Sequence, residues 1–369
     1  MPENRNKMTN TKKALIAMSG GVDSSVAAAL MVEAGYACIG VTMKLFDNED
    51  VSIPREHSCC SLEDVEDARS VAAKLGMPYY VFNFREGFQE QVIDRFVSAY
   101  ETGSTPNPCI DCNRYMKFEK LYHRAVELDC DHVVTGHYAR IAYDEKSGRW
   151  LLKKGINEAK DQSYVLCFMT QEQLAHTLFP LGEYADKEAV RLVAGRYGFV
   201  NAGKKDSQDI CFVQTGHYAD FIRSYTGKEY PPGPFIGPEG QVLGTHKGII
   251  CYTIGQRKGL GLALPEPLYV REKDVASNEV RLSREEALFS DRLIAEDVNW
   301  ISIAPPEAGE QIRVSAKPRY RAKETPATAT VLEDGRVEVV FDRPVRAITR
   351  GQTVALYDGD LVVAGGRIM

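Results

Sequence analysis

Along the first half of the chain, short runs of apolar, often β-branched residues alternate with longer stretches of mixed character. Ala14-Leu15-Ile16-Ala17-Met18, Ala37 to Phe46, Pro78 to Phe84 and His132 to Thr135 read as strands. Their near-continuous hydrophobicity marks strands covered on both faces. The intervening stretches Val26 to Ala34 (stopped by Gly35), Ser61 to about Gly76, Glu86 to Glu101 and Asn113 to Leu128 read as helices, and Ser61 with Asp64 fits a capping box. Alternation of strand and helix predicts an α/β fold with a Rossmann-like parallel sheet. Ligands of such sheets bind at the carboxyl ends of the strands, which here gathers the loops at Ser19, Met43 and Gly136. Met43 suits a core position equally well, and His137 a structural hydrogen bond.

Beyond Thr135 the pattern changes. Tyr138 to Leu152 reads as a hairpin turning at Ser147-Gly148, Lys160-Asp161-Gln162-Ser163 as a solvated cap before an amphipathic helix, and Asp186 to Tyr197 as a further helix. Pro231-Pro232-Gly233-Pro234 then punctuates the chain. Short strands follow at Gly240 to Thr245, Ile249 to Ile254 and Leu268 to Val270, with a basic loop from Gly255 to Gly259. A connector from Ser283 to Ala295 leads to strand-like runs at Ile312 to Ala316, Ala327 to Leu332, Val337 to Phe341 and Thr353 to Tyr357, with hairpin turns at Asp334-Gly335 and Asp358-Gly359. The expected organisation is a catalytic α/β domain over residues 1–210, a small β-rich central domain over 211–282 and a C-terminal β-barrel over 283–369.

Composition narrows the function. A chain of 369 residues can bury more than one core. Its net charge of −6 gives no global sign of nucleic-acid binding, so any such contact must be local. Arg313, Lys317, Arg319, Arg321 and Lys323 occupy alternate positions and share one face if that segment is extended, which suits a phosphate backbone with Tyr320 beside it; a solvated charged strand is the other reading. The polar start, Met1 to Lys13, has no signal-peptide core and no later run reaches membrane-spanning length, so a cytoplasmic protein with no membrane partner is expected. Nine cysteines in such a chain point to reduced thiols rather than a disulfide scaffold.

The candidate chemistry lies at two places. Ser19-Gly20-Gly21-Val22-Asp23-Ser24-Ser25 turns from strand to helix through two glycines, presenting consecutive backbone N–H groups and a helix N-terminus to one point. That point is an anion cradle, without the Lys of a Walker A loop. Thr105-Pro106-Asn107-Pro108-Cys109-Ile110-Asp111-Cys112 sets two thiols at or near the start of a helix, where the dipole lowers a thiol pKa. A C-x-x-C pair alone serves as a redox couple, half a zinc site, or a nucleophile with a neighbour. Cys59-Cys60 offers further ligands, whereas Cys38, Cys130, Cys167 and Cys251 sit in apolar contexts expected in the core.

The ordered set SGGVDSS, TPNPCIDCN, TGHYAR, KDQSY and DSQDICF resembles the bacterial tRNA-uridine 2-sulfurtransferases, a family of PP-loop ATP pyrophosphatases. The resemblance implies a PP-loop domain, a central β domain and a C-terminal barrel. It implies that ATP with Mg²⁺ meets Ala17, Met18, Ser19, Gly20, Gly21, Val22, Asp23, Ser24, Met43 and Gly136. Asp23 would assist at the phosphates, Cys112 would be the nucleophile, and Cys211 would receive a persulfide from a cysteine desulfurase or relay protein. Asn107, Pro108 and Cys109 would meet the target base, and His137, Lys160, Asp161, Gln162, Arg319, Tyr320 and Gln352 the tRNA. One departure stands out: the family's usual Asp three residues before the nucleophile is Cys109 here, leaving Asp111 as a nearby carboxylate. It also allows a different chemistry, in which Cys109, Cys112 and Cys211 hold a [4Fe-4S] cluster. A non-catalytic tRNA-binding or sulfur-carrier protein is the alternative of another class.

Overall fold

A computed structural model describes residues 11–46, 62–204, 210–213 and 217–369. Its first half is built on strands β1 (Lys13–Ala17), β2 (Ala37–Lys44), β3 (Tyr79–Asn83) and β4 (His132–Val134), followed by the hairpin β5 (Ala139–Asp144) and β6 (Arg149–Lys154) and the short β7 (Thr177–Leu178). Strands β3-β2-β1-β4-β7 form one parallel sheet in that order. The chain adds β2 and β3 on one side of β1 and then crosses to place β4 on the other, so the topological switch point lies where β1 and β4 end.

The residues of β1 explain its central place. Ala14 and Ile16 face a cluster with Val26, Ala28, Val71 and Val190, while Leu15 faces the opposite cluster with Phe88, Phe96, Leu121 and Val133. The helices are α1 (Val22–Glu33), α2 (Leu62–Lys74), α3 (residues 85–101), α4 (108–127), α5 (Gln171–Ala175), α6 (Lys187–Arg196) and α7 (Tyr218–Thr226), with π-helical stretches at Gln89–Ile93 in α3 and Cys112–Lys120 in α4. Helix α1 starts four residues before the expected Val26, because Gly21 already serves as N-cap and Gly20, at φ +75°, turns the chain. Ser61, Cys59 and Cys60 lie outside the described residues, as do Lys205 to Asp209. The amphipathic helix expected after Gln162 is replaced by a 3₁₀ turn, Ser163–Leu166, buried around Tyr164.

The central β strands, β8 (Gly233–Ile236), β9 (Val242–His246), β10 (Tyr269–Asp274) and β11 (Glu279–Ser283), order as β10-β11-β8-β9. Ile249 to Ile254 is not a strand; Ile249–Cys251 forms a 3₁₀ turn whose Ile249 and Ile250 plug the core. That core is continuous with the α/β half, since Phe235, Val270 and Leu282 share one cluster with Phe96 and Phe212.

The C-terminal strands β12 (Phe289–Trp300), β13 (Gln311–Lys317), β14 (Thr325–Val331), β15 (Val337–Arg346), β16 (Thr353–Asp358) and β17 (Leu361–Ile368) close a six-stranded antiparallel barrel through the β12–β17 pairing. Residues 289–295, expected in a connector, belong to its longest strand. Two bulges in β12 and the positive φ of Asp297 break its period-2 pattern. The alternate cations do not form one face. Strand β13 ends at Lys317, Arg313 pairs with Asp342, and Arg319 turns inward to donate to the carbonyls of Arg346 and Ala347 at 2.9 and 3.2 Å. Of the expected core cysteines, Cys38, Cys130 and Cys167 are buried, but Cys251 is half-exposed and takes a contact from Arg223 Nη2 at 3.1 Å.

Candidate active site

The end of β1, the start of α1 and the loop after β4 enclose a cavity of about 330 Å³. Ser25 N makes the first intrahelical bond of α1, to Gly21 O at 3.3 Å, so the amides of Val22 to Ser24 remain available to an anion. The turn is braced from within: Ser24 Oγ accepts from Ser19 N at 3.2 Å and donates to Gly21 O at 3.0 Å, and Asn201 Nδ2 donates to Gly20 O at 2.8 Å. Gly136 closes the floor. A Cβ there would lie 2.8 Å from Asp23 C and Ser24 N, so only glycine lets β4 approach the cradle this closely. Ala17, Met18, Ser19, Asp23, Ser24, Met43 and Gly136 line the cavity, whereas Gly20, Gly21 and Val22 shape the turn from behind.

Asp23 stands in an ion pair that the sequence did not announce. Lys187 Nζ, from the first turn of α6, lies 2.6 Å from both carboxylate oxygens, and Tyr138 OH donates to Oδ1 at 2.7 Å. Lys187 thus brings from a distant helix the cation that the loop itself lacks. A lysine in an ordinary amphipathic helix start carries no local signal of this role.

Helix α4 begins at Pro108, earlier than the expected Asn113. Asn107 Oδ1 accepts from Cys109 N at 3.1 Å as N-cap, and proline at the first helical position costs no hydrogen bond. Cys109 and Cys112 therefore stand one turn apart on the face that looks into the cavity. Although Cys109 reaches solvent, burial of its sulfur pushes the thiol pKa up, with Lys117 pulling the other way. The lowering expected from the helix dipole is thus outweighed by desolvation. Cys211 lines the same cavity. Its neighbour Phe212 is the anchor, buried edge-on against Phe96 (centroids 5.3 Å) and Phe88 (5.8 Å). Phe212→Ala is expected to cost about 3–5 kcal/mol in denaturant unfolding and to loosen the segment that holds Cys211.

His137 is buried, its Nδ1 2.6 Å from Thr135 Oγ1 and its Nε2 3.5 Å from Lys117 Nζ. Burial and the Lys117 charge hold the imidazole well below its ordinary value of 6.5. The unfolded chain then binds a proton that the folded one refuses, so stability falls as the pH drops below 6.5, by at most ~1.4 kcal/mol per pH unit from this residue. His137→Gln is expected to flatten that acid limb in urea titrations; an unchanged slope would refute the assignment.

The remaining predicted contacts are spread unevenly. Pro108 and Gln162 line the cavity with His137, whereas Asn107 lines a second cavity on the other side of α4. Asp161 is engaged with Gly155 N and Ser163, at 2.8–3.1 Å. Lys160 precedes it in the same turn. Tyr320, exposed, reaches Asp161 O at 3.3 Å, and Gln352 Nε2 donates to Thr105 O at 2.7 Å, tying the barrel to the Thr105–Pro108 loop. Asp111 does not face the cavity; it points to the other side of α4 toward Arg95. Among the described residues no three His, Cys, Asp or Glu side chains are arranged to hold a metal ion. Cys109, Cys112 and Cys211 line one cavity.

The strand, glycine turn and helix at the carboxyl end of β1, set on a Rossmann-like sheet, define a PP-loop domain. Family models match in sequence along the chain: a tRNA methyl transferase HUP domain over residues 12–223, a tRNA methyl transferase PRC-barrel domain over 219–284 and an aminomethyltransferase beta-barrel domain over 290–368. Among curated proteins the chain is 51% identical over 361 residues to the tRNA-specific 2-thiouridylase MnmA of Clostridioides difficile, covering 98% of this chain and 99% of that one. It is 52% identical over 358 residues to the protein of that name from Acetivibrio thermocellus, covering 97% and 99%. The chain belongs to the tRNA-specific 2-thiouridylase family, whose members are tRNA-uridine 2-sulfurtransferases. No helix among the described residues is long and apolar enough to cross a membrane.

Proposed function

We propose that this chain replaces the C2 oxygen of the wobble uridine of tRNA by sulfur, with ATP as activator and a cysteine persulfide as donor. The observation that carries the reading is the single cavity that joins the Ser19–Ser24 turn to Cys112 and Cys211. The chemical obstacle is the leaving group, since a carbonyl oxygen departs only once it has been esterified. The uridine C2 oxygen attacks the α-phosphate of ATP, pyrophosphate leaves, and the N3 proton is lost. The amides of α1 and the Lys187 ammonium meet the phosphate charge. Asp23 is the only carboxylate on the cavity wall among the described residues; it would hold a magnesium ion, whose chemistry is to neutralise phosphate charge, through oxygens that Lys187 gives up as its ammonium turns to the phosphates.

The terminal sulfur of a Cys211 persulfide then passes to C2. AMP departs, the S–S bond of the persulfide breaks, and Cys112 and Cys211 end as a disulfide that an external thiol reductant must reopen. The base has to leave the anticodon stack to reach this depth, at a cost of a few kcal/mol, roughly, offset by contacts of the loop and barrel. Two domain boundaries fit this division of labour, near residues 210 and 283, with chemistry in the first part and the barrel assisting RNA binding.

Incubating the chain with tRNA, ATP and a persulfide donor should release pyrophosphate and yield 2-thiouridine in equal amounts. Pyrophosphate release independent of tRNA, or thiolation supported only by protein carrying iron, would sink the reading.

A further inference from the structure

A larger cavity, of about 810 Å³, lies on the other side of α4, between α3 and the ends of barrel strands β16 and β17. The chemistry above makes no use of it. Helix α4 is the partition: Cys109 and Cys112 look into the catalytic cavity, and Asn107, Asp111 and Arg114 look into this one. The two share the Thr105–Pro108 loop as their common rim. That rim is fixed by Thr105 N donating to Arg350 O at 2.9 Å and by the Gln352 contact.

The second cavity is rich in guanidinium groups. Arg95, Arg114, Arg350 and Arg367 line it, together with the carboxylates Asp94, Asp111 and Glu296 and with Met369, which carries the terminal carboxylate. Asp94 accepts from Tyr225 OH at 2.6 Å, and Glu296 lies within electrostatic reach of Arg336 outside the cavity. Arg114 is matched by Asp297. Asp111 pairs with Arg95 Nε at 3.6 Å and lies within electrostatic reach of Arg114 and Arg367. Arg95 Nε is shielded from solvent and makes no hydrogen bond. Among the described residues the side chains of Arg350 and Arg367 make no hydrogen bond or ion pair. Arg350 and Arg367 thus present two guanidinium groups without hydrogen-bonded partners to a concave site, and such groups suit phosphate.

We propose that this cavity holds the sugar-phosphate of a nucleotide next to the target base, with the phosphate on Arg350 and Arg367. The inference rests on the function proposed above. A strand that hands one base over the Asn107 rim to Cys112 must lay its neighbour on the near side of the same rim, and this is the cationic hollow found there. Recognition through backbone phosphate fixes register without reading sequence, which leaves base selection to the catalytic cavity.

The test uses an anticodon stem-loop of a substrate tRNA, with or without a single neutral methylphosphonate on either side of the target uridine. Arg350→Ala/Arg367→Ala is expected to weaken stem-loop binding about tenfold or more and to lower its salt slope by about two, while ATP binding measured without RNA stays as in the unaltered chain. Arg350→Lys/Arg367→Lys should restore most of the affinity. One neutral linkage should weaken binding to the unaltered chain and cost the double alanine variant nothing further. Equal costs in both chains, unchanged binding by the variant, or loss of ATP binding would each overturn the assignment. If the unaltered chain neither binds nor thiolates the stem-loop, it is the proposed function that fails, before this inference is reached.

Discussion

Cys112→Ser and Cys211→Ser are each expected to reduce 2-thiouridine formation to background, a loss of at least about a thousandfold, without unfolding the chain. Both side chains are only half-buried on the cavity wall, and exchange of sulfur for oxygen removes little volume, so the stability change should stay within about 1–2 kcal/mol. The informative readout is the separation of the two half-reactions. In the proposed scheme activation of the base needs the cradle and not the thiols, so the variants should still release pyrophosphate when given tRNA and ATP, up to about one equivalent per active site. Mass spectrometry should find a disulfide after turnover of the unaltered chain and none in either variant. Robust thiolation by Cys112→Ser would end the two-thiol scheme.

Lys187 is the second position where a large effect is expected. Its ammonium and the Asp23 carboxylate are 16% and 29% exposed, and they meet at 2.6 Å beside Tyr138. Removing one partner leaves the other charge poorly solvated, at a cost of about 3 kcal/mol in a site this enclosed. The functional loss should exceed the structural one. With Lys187→Met, pyrophosphate release is expected to fall about a hundredfold to a thousandfold, because the loop has no lysine of its own to meet the phosphates. The double variant Asp23→Asn/Lys187→Met removes the charge imbalance and should recover most of the stability in denaturant melts, with none of the activity. Recovery of both together would mean that the pair serves the fold alone.

How much of this could be read from the chain follows from the range of each signal. The β1 strand, its glycine turn and the parallel sheet were legible because their signals are local: continuous apolar runs, two adjacent glycines and serines spaced to brace the turn. The two thiols of α4 and their shared face followed from spacing once the helix was granted. The start at Pro108 was legible too, in Asn107 as N-cap and proline at the first helical position, although the helix was expected only from Asn113; the π-helical stretch starting at Cys112 carries no such local mark. Lys187 was invisible for the same reason; its partner is 164 positions away. The face of alternate cations in β13 failed because a turn after Lys317 redirects Arg319 to backbone carbonyls, and a period-2 count cannot foresee where a strand stops. Cys109 failed on energetics, as burial outweighed the dipole.

The barrel has one neighbour that is not its own. Strand β17 touches β6 at Leu361 and Lys153, so the hairpin from the α/β half finds its outer partner only in the last residues of the chain, roughly 200 positions later. During synthesis on the ribosome that hairpin edge must wait, open to any passing strand, until the final segment emerges. Refolding from denaturant should therefore show its slowest phase at the seam between β6 and β17. Chains truncated before Leu361 should associate with one another rather than simply lose the barrel.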